Sequence, residues 1–177
     1  MEPWEETRIG IIGSVDSGKC FGINTIIKID NKTLLTIQDV KPGMKIIGAD
    51  NYTMKTVART TTGRSQLFRV SSNNGNNYVV NQFHMMCFKI NRPTQFALDY
   101  LPLVSLYHPE DNTIDIDLTE YFKLPYSISE TLCGFDWEGN TFNICIEPIG
   151  EGEYFGFSFE DNSFEDYRFQ LFDGTVV

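Results

Sequence analysis

Strand-forming runs dominate this chain. Short stretches rich in Ile, Val, Phe, Tyr and Thr recur along its 177 residues, each closed by a cluster of Gly, Asn or Asp. Such runs, punctuated by turn residues, specify β-strands. They predict strands at Arg8–Ile12, Thr25–Ile29, Thr33–Thr36, Lys45–Ile47, Leu67–Ser71, Tyr78–Val80, Met85–Ile90, Thr113–Asp117, Thr141–Glu147, Tyr154–Phe159, Arg168–Leu171 and Thr175–Val177. Asp30-Asn31, Lys41-Pro-Gly-Met44, Asn74-Gly75 and Glu138-Gly-Asn140 carry the chemistry of tight turns. Only Ile37–Val40 and Leu118–Phe122 read as helical, and both are short. Many short strands at regular spacing predict an all-β architecture and argue against a doubly wound α/β sheet. Residues 107–120 (YHPEDNTIDIDLTE) are acidic and turn-rich, and the run as a whole reads as a solvated surface excursion.

Composition narrows the function classes. A chain of this length suits one domain with a sizeable core. No apolar run approaches the roughly 20 residues needed to span a bilayer, so no membrane role is expected. A net charge of -10 makes the chain a poor partner for nucleic acid, because it could release few counterions. The start, MEPWEETR, is acidic where a secretory signal would be basic. Cys20, Cys87, Cys133 and Cys145 are widely spaced with no CxxC pair, which fits reduced thiols in a cytoplasmic setting. Together with His84 and His108 they show no ligand spacing, so neither a metal nor another cofactor is expected.

One motif breaks the texture. Residues 9–20 read IGIIGSVDSGKC, in which Gly13, Gly18 and Lys19 fit the phosphate-cradling pattern GxxxxGK[ST] after the Arg8–Ile12 run. GSVDSGK resembles the P-loop of translation-factor-type GTPases. The next position is Cys20, where a magnesium-binding hydroxyl belongs. The next run, Phe21-Gly22-Ile23-Asn24-Thr25-Ile26-Ile27, is a poor helix, although a P-loop needs a helix N-terminus facing the phosphates. Asp136-Trp-Glu-Gly139 matches DxxG, a pattern too short to be specific, and no NKxD signature is present. A P-loop cut off in this way is expected to bind no nucleotide.

Cys20-Phe-Gly-Ile-Asn-Thr25, then Ile37-Gln-Asp-Val-Lys-Pro-Gly-Met44, resemble the opening block of an intein. Leu67–Phe88 (LFRVSSNNGNNYVVNQFHMMCF) resembles the block that carries a TxxH motif, with His84 at the His position and Asn81 where Thr is usual. Gly152-Glu-Tyr154-Phe-Gly-Phe157, Tyr167-Arg-Phe-Gln-Leu171 and Asp173-Gly-Thr-Val-Val177 resemble the closing blocks. The blocks fall in the family's order and cover residues 20–177. The resemblance implies a horseshoe-shaped Hedgehog/intein (Hint) fold. It also implies a mini-intein over 20–177, with no room for a homing endonuclease domain. Residues 1–19 would be an N-extein remnant of a GTPase host. The Ser or Thr missing from the P-loop is also what the first residue after an intein must supply, so one residue meets both requirements.

The chemistry that the resemblance implies is autocatalytic, single-turnover and directed in cis at the flanking exteins, with a monomer expected. Cys20 would attack the Lys19 carbonyl and turn the Lys19–Cys20 amide into a thioester. His84 is the candidate acid for the departing nitrogen, and Asn81 the candidate donor to the tetrahedral oxyanion. Many inteins carry an Asp in the later blocks, and the matching position here is Gly156. Arg168 and Asp173 are further candidates, Arg168 for activating the C-terminal junction. The plainer reading of both is solvent-facing charge at a strand edge. Cys87, Cys133 and Cys145 read as buried small hydrophobes and His108 as a satisfied loop histidine. Inteins close on His-Asn, whereas this sequence ends on Val177, so as written it is expected to stop at the thioester. The first and last strands are expected side by side, gathering Cys20, Asn81, His84 and Val177. The alternatives are a P-loop GTPase fragment and a non-catalytic β-rich interaction domain.

Overall fold

The computed structural model describes residues 19–160 and 167–177. The predicted strand Arg8–Ile12 and the P-loop glycines 13 and 18 lie outside the described residues. The chain runs through β1 (Cys20–Gly22), β2 (Ile26–Lys28), β3 (Leu34–Thr36), a 3-10 turn at Ile37–Asp39, β4 (Lys45–Ile47), β5 (Met54–Ser72), β6 (Asn77–Asn81) and β7 (Met85–Ile90). It continues through α1 (Gln95–Val104), β8 (Leu106–His108), β9 (Thr113–Asp117), α2 (Leu118–Tyr121), α3 (Tyr126–Ser129), β10 (Leu132–Phe135), β11 (Thr141–Phe142) and β12 (Ile144–Phe159).

Two five-stranded sheets hold most of these strands, and β2 pairs with β3 in a third, two-stranded sheet. In one, β12, β1, β6, β5 and β4 are neighbours in that order, and β5 pairs again with β12. The ring β12–β1–β6–β5 therefore closes on itself and leaves few free edges. β5 and β12 form a long antiparallel ribbon, from Ile144 opposite Ser72 to Phe159 opposite Val57. β1 enters the ring with Cys20 opposite Gly156 and Phe21 opposite Val80. The other sheet has the order β11, β10, β7, β9, β8. β6 of the first sheet leads into β7 of the second through a tight turn, in which the His84 amide donates to the Asn81 carbonyl at 3.2 Å. The candidate site residues sit at this junction between sheets.

The apolar side chains converge on one main cluster, in which Phe21, Ile27, Ile46, Val80, Ile116 and Phe169 are all fully buried. Residues 167–177 stitch the sheets together. Ile27 bridges Leu171 and Gly48 bridges Phe169, the Val176 amide donates to the Phe135 carbonyl, and Phe169 and Val177 exchange both backbone hydrogen bonds at 3.0 Å.

Cys20–Gly22 is a strand, in keeping with the poor helix pattern after Lys19. Several other expectations change here. Residues 107–120 are no solvated excursion: β8 and β9 lie within the second sheet, and Ile114 and Ile116 are fully buried. The strict Thr-Ile-Asp-Ile-Asp alternation prevails over the acidic composition. The first strand is flanked by β12 and β6, whereas the terminal residues pair with 169–171 and Phe135. Cys145 is exposed, because it lies on the outward part of the β5–β12 ribbon. The Asp136–Gly139 match is a turn: the Asp136 carboxylate accepts from the amides of Glu138 and Asn140, and Gly139 takes φ 89°. α1 is an element the periodicity did not announce, since Pro102 lies inside it. Its N-cap, Thr94, accepts from the Ala97 amide at 3.1 Å.

Candidate functional site

Cys20 begins β1 and lies between two strands. On one side it is paired with Gly156 of β12. On the other, the antiparallel register that sets Phe21 against Val80 puts Cys20 across from Asn81. Both are buried, Cys20 at 3% and Asn81 at 3% exposure. Gly156 has a specific steric role. A Cβ at that position would lie 2.6 Å from Cys20 Sγ and 2.7 Å from the Lys19 carbonyl oxygen. Only a residue without a side chain lets the thiol and the Lys19–Cys20 carbonyl occupy that gap together.

His84 approaches the same backbone segment. Its Nδ1 is 3.1 Å from the Cys20 carbonyl oxygen, and the ring packs edge-on to Phe21 at 4.8 Å between centroids. Phe21 and Cys20 alternate along β1, so the imidazole sits on the face opposite the thiol. Both ends of the residue are tied: its amide donates to the Asn81 carbonyl, and its carbonyl accepts from the Leu118 amide at 3.0 Å. Burial, reinforced by the Lys19 charge, pushes its pKa well below the ordinary 6.5, against the Cys20 hydrogen bond. The imidazole is neutral at pH 7 and donates from Nδ1.

Asn81 carries the one buried side-chain oxygen that lacks a hydrogen-bond partner among the described residues, its Oδ1. Leaving such a group unpaired costs about 1–3 kcal/mol. It stands at the end of β6, beside the cysteine and three residues before the histidine.

Lys19 is 1% exposed, and its Nζ donates to the Met85 carbonyl at 2.8 Å. Burial lowers its pKa from the ordinary 10.5; Cys87 and Asp115 oppose the shift and Arg168 adds to it. Arg168 is no edge charge: Nη2 lies 3.1 Å from Asp115 Oδ2 and Nε 3.3 Å from Oδ1, with the two side chains 14% and 12% exposed. His108 adds a 2.8 Å contact to the same carboxylate, which is the satisfied histidine the sequence suggested. Cys87, opposite Asp115 on β7, has its thiol pKa pushed up to about 12, by burial first and then by Asp115. Asp173 does something different. Its carboxylate accepts from Asn76 Nδ2 and from the Thr175 amide, which holds the last turn together.

The structure thus gathers Lys19, Cys20, Asn81, His84 and Gly156, sets Arg168 in a neighbouring charge cluster, and commits Asp173 to a turn. Sequence reading passed over Asp115, because its alternation with Ile114 and Ile116 reads as the outward face of the strand. Among the described residues, no group of three or more His, Cys, Asp or Glu side chains could hold a metal ion. No described helix is long and apolar enough to cross a membrane.

No protein-family profile matches the sequence, and no curated protein matches it significantly. Solved structures do match. The gp41-1 intein superposes with a TM-score of 0.59 at 12% identity, over 89% of this chain and 96% of that one. An intein-like domain from Clostridium thermocellum gives 0.58 at 15% identity, over 90% and 97%. A DnaB intein from Synechocystis gives 0.56 at 10% identity, over 89% and 96%. At these identities the likeness is one of fold: the chain has the all-β Hedgehog/intein (Hint) fold.

Proposed function

We propose that residues 20–177 are a protein-splicing domain acting in cis on its flanking segments, and that residues 1–19 are the end of an upstream host segment. The reaction begins with an N–S acyl shift. Cys20 Sγ forms a bond to the Lys19 carbonyl carbon, and the bond from that carbon to the Cys20 nitrogen breaks. The thiol proton ends on the departing nitrogen, which becomes a free amine; nothing is oxidised or reduced. The observation that carries this reading is the gap at Gly156, where the thiol and the Lys19 carbonyl share space that any side chain would fill.

An amide does not pass easily to a thioester, because it gives up its resonance. Two kinds of help are at hand. The neutral His84 imidazole, on the opposite face of β1, has a proton on Nδ1 within reach of the Cys20 backbone. A small ring movement would re-aim it from the carbonyl to the leaving nitrogen. The Asn81 amide, across from Cys20, is the candidate stabiliser of the oxyanion. Arg168 and Asp173 are committed to Asp115 and to the last turn, so positioning roles suit them better than contact with the reacting atoms. The interrupted P-loop favours a GTPase host and a cytoplasmic setting.

Hydroxylamine tests this directly. It captures a thioester as a hydroxamate, so the released 1–19 peptide should carry a hydroxamate on the Lys19 carboxyl by tandem mass spectrometry. Release of 1–19 only as the free carboxylate, with no hydroxamate even in excess hydroxylamine, would count against the thioester.

A further inference from the structure

Lys19 is the residue just upstream of the proposed scissile bond, yet its side chain is buried as completely as the apolar core. A host residue that merely happened to precede a splicing domain would have no reason to lie inside it. Taking an ammonium out of water is expensive unless hydrogen bonds and an opposing charge receive it. Both are present. The Met85 carbonyl accepts from Nζ at 2.8 Å. Met85 and Cys87 lie on one face of β7, and the register with β9 sets Asp117 and Asp115 across from them. Asp117 is committed to capping α2 through the Thr119 amide, which leaves Asp115 as the buried acid of this face.

Asp115 is held firmly. Arg168, from the closing segment, grips it through two nitrogens, and His108, from β8, grips it through Nε2. Arg168 also lies 3.9 Å from the more exposed Asp111. Cys87, opposite Asp115, stays a neutral thiol through its burial. The titratable groups that act on Lys19 are therefore the neutral Cys87 and His84, the fixed Asp115 carboxylate and its partner Arg168.

We infer that this domain selects lysine at the position preceding its scissile bond, through a subsite made of the Met85 carbonyl and the Asp115 carboxylate, with Arg168 and His108 as positioning residues. The inference rests on the splicing reading above. Anchoring the Lys19 side chain fixes the carbonyl that Cys20 attacks, so selection acts on the rate of the acyl shift. Methionine would fill the volume but leave the Met85 carbonyl unpaired, and glutamate would set a like charge beside Asp115.

Thiol-induced release of residues 1–19 is measured for Lys19 and Lys19→Met, each with Asp115 and with Asp115→Asn, alongside melting temperatures. Lys19→Met should slow release about tenfold or more, the scale set by losing a hydrogen bond to a charged group. In Asp115→Asn the advantage of lysine over methionine should shrink, while the part carried by the Met85 hydrogen bond remains. If Asp115→Asn lowers both rates by the same factor, Asp115 is merely structural and its part in the selection is overturned. Unchanged release in Lys19→Met overturns the selection alone and leaves the splicing reading standing. No release with either residue overturns both. In Cys20→Ala, where no reaction intervenes, an amine-acetylating ester should modify Lys19 far more slowly than the exposed Lys32; equal labelling would remove the subsite.

Discussion

Gly156 faces Cys20 across the β1–β12 ladder so closely that even a methyl group there would press on Sγ and on the Lys19 carbonyl oxygen. Both neighbours belong to the bond proposed to react. Gly156→Ala should therefore destabilise the fold by about 1–3 kcal/mol, the usual cost of overpacking. It should also slow thiol cleavage by displacing the carbonyl. Denaturant unfolding and a cleavage time course on the same sample check both; an unaltered cleavage rate would separate the gap from the chemistry.

His84 should matter to cleavage and to acid stability in separate ways. His84→Ala should slow thioester formation by about 10²–10⁴, as expected for a positioned acid. Its pKa is depressed in the folded state, so below about pH 6.5 the unfolded chain binds a proton that the folded chain refuses. Stability should then fall as pH drops through that window, and His84→Gln should flatten the fall. Unfolding midpoints at pH 7.5 and pH 5.5 measure it.

The site was partly legible in the sequence, and the reasons differ residue by residue. Cys20 stood out because it interrupts a P-loop, and Asn81 and His84 because they share a short motif. The structure sets all three at one sheet junction. Gly156 could be recognised as a departure from the family pattern, but its steric reason exists only once β12 pairs with β1. Asp115 was masked because it alternates with the core-facing Ile114 and Ile116, and only Arg168 and His108, brought up by the fold, cover its side of β9. The first part of β5, Met54–Gln66, is Thr-rich and charged with little apolar face, so its ladders with β4 and β12 are what make it a strand. In α1, Pro102 hid a helix that Thr94 had in fact marked.

The Arg168–Asp115 pair should weigh on stability more than its place near the chain end suggests. Arg168→Met leaves a largely buried carboxylate without its bidentate partner and should cost about 3 kcal/mol. Burial acts to raise the Asp115 pKa, but Lys19 and Arg168 outweigh it and hold it below the ordinary 3.8. The folded chain thus releases a proton that the unfolded chain keeps near that pH, and the stabilisation is lost as pH falls through the folded pKa. Acid titration of wild type and Arg168→Met should show the variant losing its structure at higher pH.

Asp173 should prove structural. Asp173→Ala removes the acceptor for Asn76 and the Thr175 amide and should lower stability by about 1 kcal/mol, while thiol cleavage stays within about twofold of wild type. A large loss of cleavage with an unchanged melting temperature would assign it a role in the reaction.

The most direct measurement is intact mass after incubation with excess dithiothreitol, on this chain and on Cys20→Ala. An acyl shift at Lys19–Cys20 predicts loss of residues 1–19 from the first and an unchanged mass for the second. Release from Cys20→Ala, or no release from either, would contradict it.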